Sequence, residues 1–419
     1  MKSLRTLSPQ LRRNLLVLFA AGLFFWSSLA SLLPTLPLYV QAIGGSNHDI
    51  GLVMGSFAIG LLLSRRWLGQ MADRRGRKIV MLIGMAAVAI APLGYLLIQF
   101  IPLLMVVRAF HGLSIAAFAM AYAALVTDLA PDEHRGEIIG YMSLVNPVGV
   151  AFGPAMGGFL QEWLGYTPLF ILSSGLGLLG WICTMQIQEP RIAAIESTLP
   201  PHPSTQSPEA DQFWSLLLSP RLRIPTLVML LIGLAFGVLS TFVPLYIKES
   251  QVALNPGLFY AAAAIASFGV RVLTGQASDH YGRGLFITMS LGFYTLAMSI
   301  LSLATEAEMF LLAGVMEGMG SGILIPMVVA LMSDRSFPHE RGRVFSLCMG
   351  GFDLGLIIAG PALGFFAEQI GYRGLFQLAA GLSLLAVVTF LTQSSKDIPR
   401  SLRFAVGRDE DAYAIKASE

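Results

Sequence analysis

Charge is what this sequence lacks most. Asp, Glu, Lys and Arg make up 12% of its 419 residues, about half the roughly 25% usual in soluble domains. Such a chain cannot cover several soluble domains with a polar surface, which excludes a soluble enzyme and a disordered protein. The net charge of +2 is too small for the electrostatic footprint of a nucleic-acid binder. Cysteine is nearly missing as well: Cys183 and Cys348 sit singly in apolar runs, where they read as small core residues. A disulfide-rich secreted domain is thereby excluded. With six histidines the His and Cys supply is too sparse and scattered for a metal cluster. No Gly-x-Ser-x-Gly nucleophile motif is present. The run Gly318-Met319-Gly320-Ser321-Gly322 has no Lys-Ser or Lys-Thr after it, so it reads as helix packing and not as a phosphate loop. Neither catalysis, a cofactor, a metal nor ATP as driver is expected of this chain.

What the sequence has is apolar residues, 55% of the total. Crossing ~30 Å of hydrocarbon takes ~20 of them in a helix. The apolar stretches predict twelve spans, at about 14–40, 48–67, 78–99, 101–128, 138–161, 165–187, 224–248, 256–277, 284–304, 308–332, 343–367 and 374–394. The first run, from Leu15 to Val40, is too long for the apolar core of a signal peptide. Alternate loops, taken with both termini, hold 24 of the 27 Lys and Arg. Of the other three, Lys248 and Arg373 fall on the other side and Arg108 within the fourth span. By the positive-inside rule both termini are cytoplasmic. A Pro-, Ser- and Thr-rich stretch reads as a flexible cytoplasmic linker. The expected organisation is a six-helix bundle over 1–187, a linker over 188–222, a second bundle over 223–395 and a cytoplasmic tail over 396–419.

The two halves repeat at an offset of 206. Gly51, Leu52, Ala58, Ile59, Arg65, Gly69, Gln70, Gly76 and Arg77 match Gly257, Leu258, Ala264, Ile265, Arg271, Gly275, Gln276, Gly282 and Arg283. Asp73, Asp128 and Arg135 match Asp279, Asp334 and Arg341, and Glu162, Gly165 and Tyr166 match Glu368, Gly371 and Tyr372. A slip to 207 aligns Gly153-Pro154 with Gly360-Pro361. Two parallel repeats of six spans are an architecture of membrane transporters with the substrate between the halves.

The loop after the second span reads Gly69-Gln70-Met71-Ala72-Asp73-Arg74-Arg75-Gly76-Arg77-Lys78. Gly69 permits close helix approach, Gly76 a tight turn, and Arg77 stands one turn from Asp73 and can pair with it. This decapeptide resembles the signature of the major facilitator superfamily at the same loop, and the resemblance extends over twelve spans, the central linker and the second copy of the loop. It implies an all-α fold of two pseudo-symmetric six-helix bundles, a monomer in the lipid bilayer, and alternating access. It further implies that Asp73 caps the eleventh helix, which begins near Arg343, and holds the cytoplasmic side closed. A carboxylate so placed contributes roughly 0.3–1 kcal/mol at an exposed site. The plainer alternative is a basic turn without a gating role. The second copy, Gly275 to Arg283, departs from the pattern with His280, Tyr281 and Gly284, which leaves its grip on the fifth helix open. Asp128, Arg135, Asp334 and Arg341 read either as members of these networks or as solvated loop charges.

The fifth span carries Gly149, Gly153, Pro154, Gly157 and Gly158. Spaced glycines let helices touch and proline sets a bend. The segment resembles the antiporter motif of proton-driven exporters in the superfamily, with plain helix packing as the alternative. The fourth span carries Arg108-Ala109-Phe110-His111-Gly112, which resembles an Arg-x-x-Gln-Gly element tied there to proton coupling, with His111 in place of Gln. An intramembrane Arg costs at least ~2.5 kcal/mol by insertion scales and is a functional candidate by default. His111 reads as a proton-exchanging group or as a hydrogen-bonded core histidine. Of 25 acidic residues, Glu317 and Asp353 fall well inside spans. The repeat sets Glu317 opposite His111 and Asp353 opposite Asn146. A carboxyl group taken out of water can carry a proton, pair with Arg108 or a cationic substrate, or form a structural ion pair. Phe25, Trp26, Met120 and Met316 are candidate apolar contacts. The resulting expectation is a proton-driven exporter of a small, partly apolar molecule in the cytoplasmic membrane. Two alternatives stay open: a sugar or metabolite facilitator, and a non-transporting membrane partner of a surface-polymer pathway.

Overall fold

The structure, a computed structural model, describes residues 7–131, 134–189, 216–274, 277, 281–337 and 340–415, apart from the side chain of Asp73. Gly275 and Asp279 therefore lie outside the described residues, as does most of the stretch read as a linker. No strand occurs among the described residues. The spanning helices run Pro9–Ala42, Asn47–Arg75, Arg77–Leu97, Ile101–Leu129, Arg135–Leu164, Tyr166–Gln186, Arg223–Glu249, Pro256–Thr274, Arg283–Leu303, Ala307–Asp334 and Arg341–Gln393. The last holds two spans, because Gly371 breaks its helical geometry at φ +67°. The twelve expected spans are thus present, with two differences in outline. The first span is interrupted between Ser31 and Leu36, where Pro34 and Pro37 interrupt the helical ladder. The second extends to Arg75, since arginine is a good helix former even where hydropathy has faded.

Short turns join the spans. Gly76, Gly165, Gly282 and Gly371 all adopt positive φ, which only glycine does without strain. They form two pairs at the repeat offset, so the symmetry seen in the sequence is a symmetry of turn geometry. Ser46 and Asp49 close a capping box at the start of the second span, with Asp49 N donating to Ser46 Oγ at 3.1 Å and Ser46 N to Asp49 Oδ2 at 3.0 Å.

One end of the molecule collects the basic loops and is called here the basic end; the other is the far end. The two halves touch along two seams, second span on eleventh and fifth on eighth. At the far end this contact is backbone on backbone. A Cβ on Gly51 would collide with the carbonyl oxygen of Gly360, and one on Gly257 with that of Pro154. Tyr372 donates to Asn47 Oδ1 at 2.8 Å across one seam, and Asn255 to Glu162 Oε2 at 2.6 Å across the other. Toward the basic end the packing is looser, and Gly140 of the fifth span and Gly350 of the eleventh have nothing within 4 Å of a Cβ. Gly55 still meets Ile357, but the next link is Arg65 to Asp353. That is about 15 Å along one helix against about 6 Å along the other, and only a long side chain spans the difference. The tightest contact between the halves therefore lies at the far end.

The ends of the expected linker and the expected tail are built into the fold. Leu222 is buried, and Arg221 pairs with Glu340 at 2.7 Å. The tail forms a helix, Ile398–Ala405, whose Phe404 and Ala405 are buried. Arg335 is fully buried and holds this region together. It donates to Arg221 O at 2.9 Å, to Ser394 O at 3.0 Å and to the Asp411 carboxylate at 2.6 and 2.8 Å. The ring of Tyr413 lies 5.1 Å from its guanidinium carbon. Removing one partner of a buried ion pair costs about 3–5 kcal/mol. Asp411→Ala is expected near the lower figure, because the two carbonyl partners remain. Thermal unfolding in detergent, with the exposed Asp409→Ala as control, measures it: equal melting of the two variants would refute this role for Asp411.

Candidate functional site

Four groups of polar residues stand out against the apolar interior. The first lies within the first half. Arg108 and His111, one turn apart on the fourth span, are both buried, at 5% and 0% exposure. His111 Nδ1 is 3.0 Å from the Tyr95 hydroxyl and 3.4 Å from Arg108 Nη1. The Arg108 guanidinium stacks over Phe57 at 4.4 Å, a cation–π contact that offsets part of the cost of burying its charge. Neither Arg108 nor His111 meets Glu317 or Asp353 among the described residues, so the pairing of Arg108 with a membrane carboxylate, left open by the sequence, is not made. Arg108 Nε and His111 Nε2 are buried without a hydrogen-bond partner, so the cluster keeps two polar atoms available in the membrane interior.

The second group is its counterpart in the other half. Glu317, 5% exposed, sits on the tenth span among Tyr260, Tyr294 and Ser321. It forms no ion pair among the described residues. The repeat places it where His111 stands, and the packing agrees: a Cβ on Gly112 would strike the Phe57 carbonyl, and one on Gly318 the Ala263 carbonyl. These two glycine–carbonyl pairs are also 206 residues apart. Each half therefore holds one titratable group at the same depth in its own helix packing.

The third group crosses between the halves. Asp353, with its side chain 10% exposed, receives Arg65 at 2.9 Å. Asp353 has no basic residue within a turn of it in its own helix, and the partner comes from the second span of the other half. Arg271, the repeat match of Arg65, meets no such carboxylate among the described residues. The site facing it by symmetry is Asn146, half-buried on the fifth span. Among the described residues the Arg65–Asp353 pair has no counterpart between Arg271 and Asn146 on the other seam.

The fourth group is the pair of loops at the basic end. Arg77 lies 3.6 Å from Asp128, and Arg283 pairs with Asp334. In both halves the loop arginine meets the acidic residue that closes the fourth or tenth span. Arg135 and Arg341 begin the fifth and eleventh spans. Gly69 faces Met120 on the fourth span, with room for a Cβ at 3.5 Å. Sequence reasoning missed Glu189 here. Its carboxylate accepts from the Arg77 and Lys78 amides at 2.6 and 3.3 Å, capping the third span where the helix dipole favours negative charge. Lys78 answers by donating to the Met185 and Ile187 carbonyls, both at 2.7 Å. The only signal in the sequence was an acidic residue at the root of the proline-rich stretch.

The glycines of the fifth span divide by task. Gly149, Gly153 and Gly157 press against Trp26, Ser27, Ala30 and Ser31 of the first span, while Gly158 meets Asn255 across the seam. Pro154 offers the carbonyl that Gly257 touches. Phe25 is fully buried and stacks on Phe118 at 4.0 Å, which makes it core. Trp26 packs edge-on against Phe25 at 5.3 Å, and Met120 and Met316 remain at least partly exposed.

Comparison with known proteins bears on this arrangement. The model of the Major Facilitator Superfamily matches residues 16–307 and 257–409. The multidrug resistance protein MdtG of Salmonella typhi is 26% identical over 390 residues, covering 90% of this chain and 94% of its own, and that of Salmonella arizonae gives the same figures. Among solved structures, the nucleoside transporter NupG superposes with a TM-score of 0.72 at 14% identity, covering 90% of this chain and 98% of that one. A bacterial homologue of the human lysosomal transporter Spinster, in an inward-facing and unoccupied conformation, superposes at 0.70 and 15% identity over 92% and 98%. At these identities the structures are alike in fold alone.

Proposed function

The chain belongs to the major facilitator superfamily, a multi-pass membrane transporter, and from that premise we propose that it exports a small, partly apolar molecule from the cytoplasm in exchange for protons. The observation that carries the coupling is the Arg65–Asp353 pair, 2.9 Å across the seam between the halves. The pair joins the halves where their packing is looser, so its strength bears on how they move. A proton on Asp353 cancels the charge that holds Arg65, and loss of that proton restores it. The pair then opposes separation in one protonation state and permits it in the other, which is what exchange of a proton for a substrate requires.

The other features take supporting roles. The excess of Lys and Arg at the basic end assigns that end and both termini to the cytoplasm, within the cytoplasmic membrane of a bacterial cell. With the tightest contact at the far end, this is then the cytoplasm-facing state, ready to load. Arg108, His111 and Glu317 serve proton movement inside the two halves. The Arg77–Asp128 and Arg283–Asp334 pairs, with Asp73, Arg135, Asp279 and Arg341, form the cytoplasmic gate that closes when the halves rock. The packing of Gly149, Gly153 and Gly157 on the first span ties the fifth span to the cavity wall. A substrate rich in hydroxyls would need many hydrogen-bond partners, and the largely apolar spans favour a partly apolar one. The relation to MdtG supports a drug-like compound. The protein acts as a monomer, needing no cofactor.

Everted membrane vesicles test this directly. Energised to an acid interior, they are challenged with partly apolar cationic, neutral and anionic compounds while the pH gradient is followed. Collapse of the gradient by at least one compound, absent from vesicles lacking the protein, is the expected result. A labelled compound that equilibrates without moving protons would replace exchange by facilitated diffusion.

A further inference from the structure

The tail helix Ile398–Ala405 begins five residues after Gln393, where the twelfth span ends. It has a face for the protein. Ser401, Phe404 and Ala405 are buried, Thr288 of the ninth span donates to the Ala405 carbonyl at 2.9 Å, and Phe404 meets Phe390 at 6.0 Å. It also has an apolar face that none of the described residues covers. Ile398, Leu402 and Val406, spaced four residues apart on one stripe, are 58%, 43% and 46% exposed. Arg403 flanks this stripe on the helix, and Lys396, Arg400 and Arg408 belong to the same segment; all four are exposed. Asp397 is occupied at the helix start, accepting from the Arg400 amide at 2.8 Å and pairing with its guanidinium at 3.5 Å. Arg408, Asp409 and Glu410 all follow the turn at Gly407.

A helix tethered this closely to the end of a spanning helix cannot leave the level of the lipid headgroups. There its composition has a physical meaning: an apolar stripe to sink into the boundary of the acyl chains, and basic side chains to reach phosphate. We propose that the stripe of Ile398, Leu402 and Val406, with Lys396, Arg400, Arg403 and Arg408, is a docking surface for the anionic phospholipid leaflet around the protein. The back of the helix is already fixed. Phe404 lies against Gly284, and Gly407 against Tyr281 and Leu285, beside the loop that carries Arg283. The leaflet therefore engages an element that is rigidly joined to the second gate loop. This placement depends on the chain spanning a membrane and not on what it carries.

The test reads position and needs no transport. Cys183 and Cys348 are replaced by Ala, and Leu402→Cys is labelled with an environment-sensitive fluorophore. The protein is placed in nanodiscs of phosphatidylcholine alone or with phosphatidylglycerol, each with and without lipids spin-labelled near the top of the acyl chain. A second label at Glu410→Cys reports the water side. The Leu402 label is expected to be quenched in the anionic discs and the Glu410 label to stay unquenched. Neutralising Arg400, Arg403 and Arg408 together to Gln should weaken quenching in anionic discs, by about fivefold in the bound-to-free ratio per charge removed. High salt should act in the same direction. A Leu402 label left unquenched in anionic discs would overturn the proposal. Equal quenching in both lipids that survives the triple substitution would overturn its anionic part. Shielding in native membranes with none in nanodiscs would assign the face to a protein partner and overturn it too.

Discussion

Gly51→Leu is expected to abolish net transport while the protein still folds and inserts. Gly51 is buried against the other half, and any Cβ there would meet the backbone carbonyl of Gly360. Backbone at a helix–helix contact has nowhere to go, so the far end cannot close. Overpacking of this kind costs up to about 3 kcal/mol, which shifts a two-state population by about two orders of magnitude. Within its own helix the substitution is favourable, since Leu is a better helix former than Gly by most of ~1 kcal/mol. The defect should therefore lie in the state occupied and not in folding. Two measurements separate these. Labelling of Ile357→Cys, which faces Gly55 across the seam, by an impermeant thiol reagent from the periplasmic side should rise sharply in the Gly51→Leu background. Melting in detergent should stay near that of the parent. Gly292→Ala, at a glycine with nothing within 4 Å of its Cβ, is the control and should leave transport intact. Normal transport by Gly51→Leu would mean that the far-end seam is not a gate.

The second large effect is expected at the charge pair, and it should be unequal for its two members. Asp353→Asn should cut proton-coupled flux by about two orders of magnitude, the size seen when a group that handles the transferred proton is removed. A labelled substrate should still equilibrate down its own gradient. Arg65→Gln should harm the protein more broadly. The Arg65 side chain is 33% exposed and that of Asp353 only 10%, so an abandoned Arg65 can turn to water while an abandoned Asp353 cannot. Stranding a buried charge is the more costly of the two. The double substitution Arg65→Gln with Asp353→Asn should recover the stability lost in Arg65→Gln and none of the coupling. Glu317→Gln, assayed alongside, decides between the two membrane carboxylates. If Glu317→Gln uncouples transport and Asp353→Asn does not, the proton site lies inside the second half and the seam pair is a structural tie.

Much of the architecture was legible because it follows from one-dimensional properties. Hydropathy over about 20 residues reports a span, since every backbone group in hydrocarbon must be satisfied within its own helix. The distribution of Lys and Arg favours one sidedness. The offset of 206 foretold that Gly76 and Gly282, and Gly165 and Gly371, would share a turn geometry, because positive φ depends on the residue itself. Outlines were less secure. The break between Ser31 and Leu36, the extension of the second span to Arg75 and the packed tail all turn on competition between hydropathy, helix propensity and neighbours.

The candidate site was legible as a set of residues and not as a set of contacts. Arg108, His111, Glu317 and Asp353 announced themselves because a polar side chain in an apolar run is costly wherever the run lies in the membrane. Their partners did not. Tyr95 beside His111, Arg65 beside Asp353, Glu189 on the third span and Asp411 on Arg335 come from other helices, and no periodicity within one helix specifies what a neighbouring helix presents. The sequence by itself determined twelve spans and their repeat, and it picked out the polar groups that lie within them. Only the tertiary structure decided which of those groups meet, that backbone packs on backbone between the halves at the far end, and that Asp353 pairs across the seam with Arg65. The reason is physical: burial cost belongs to a residue, whereas pairing belongs to the packing of two.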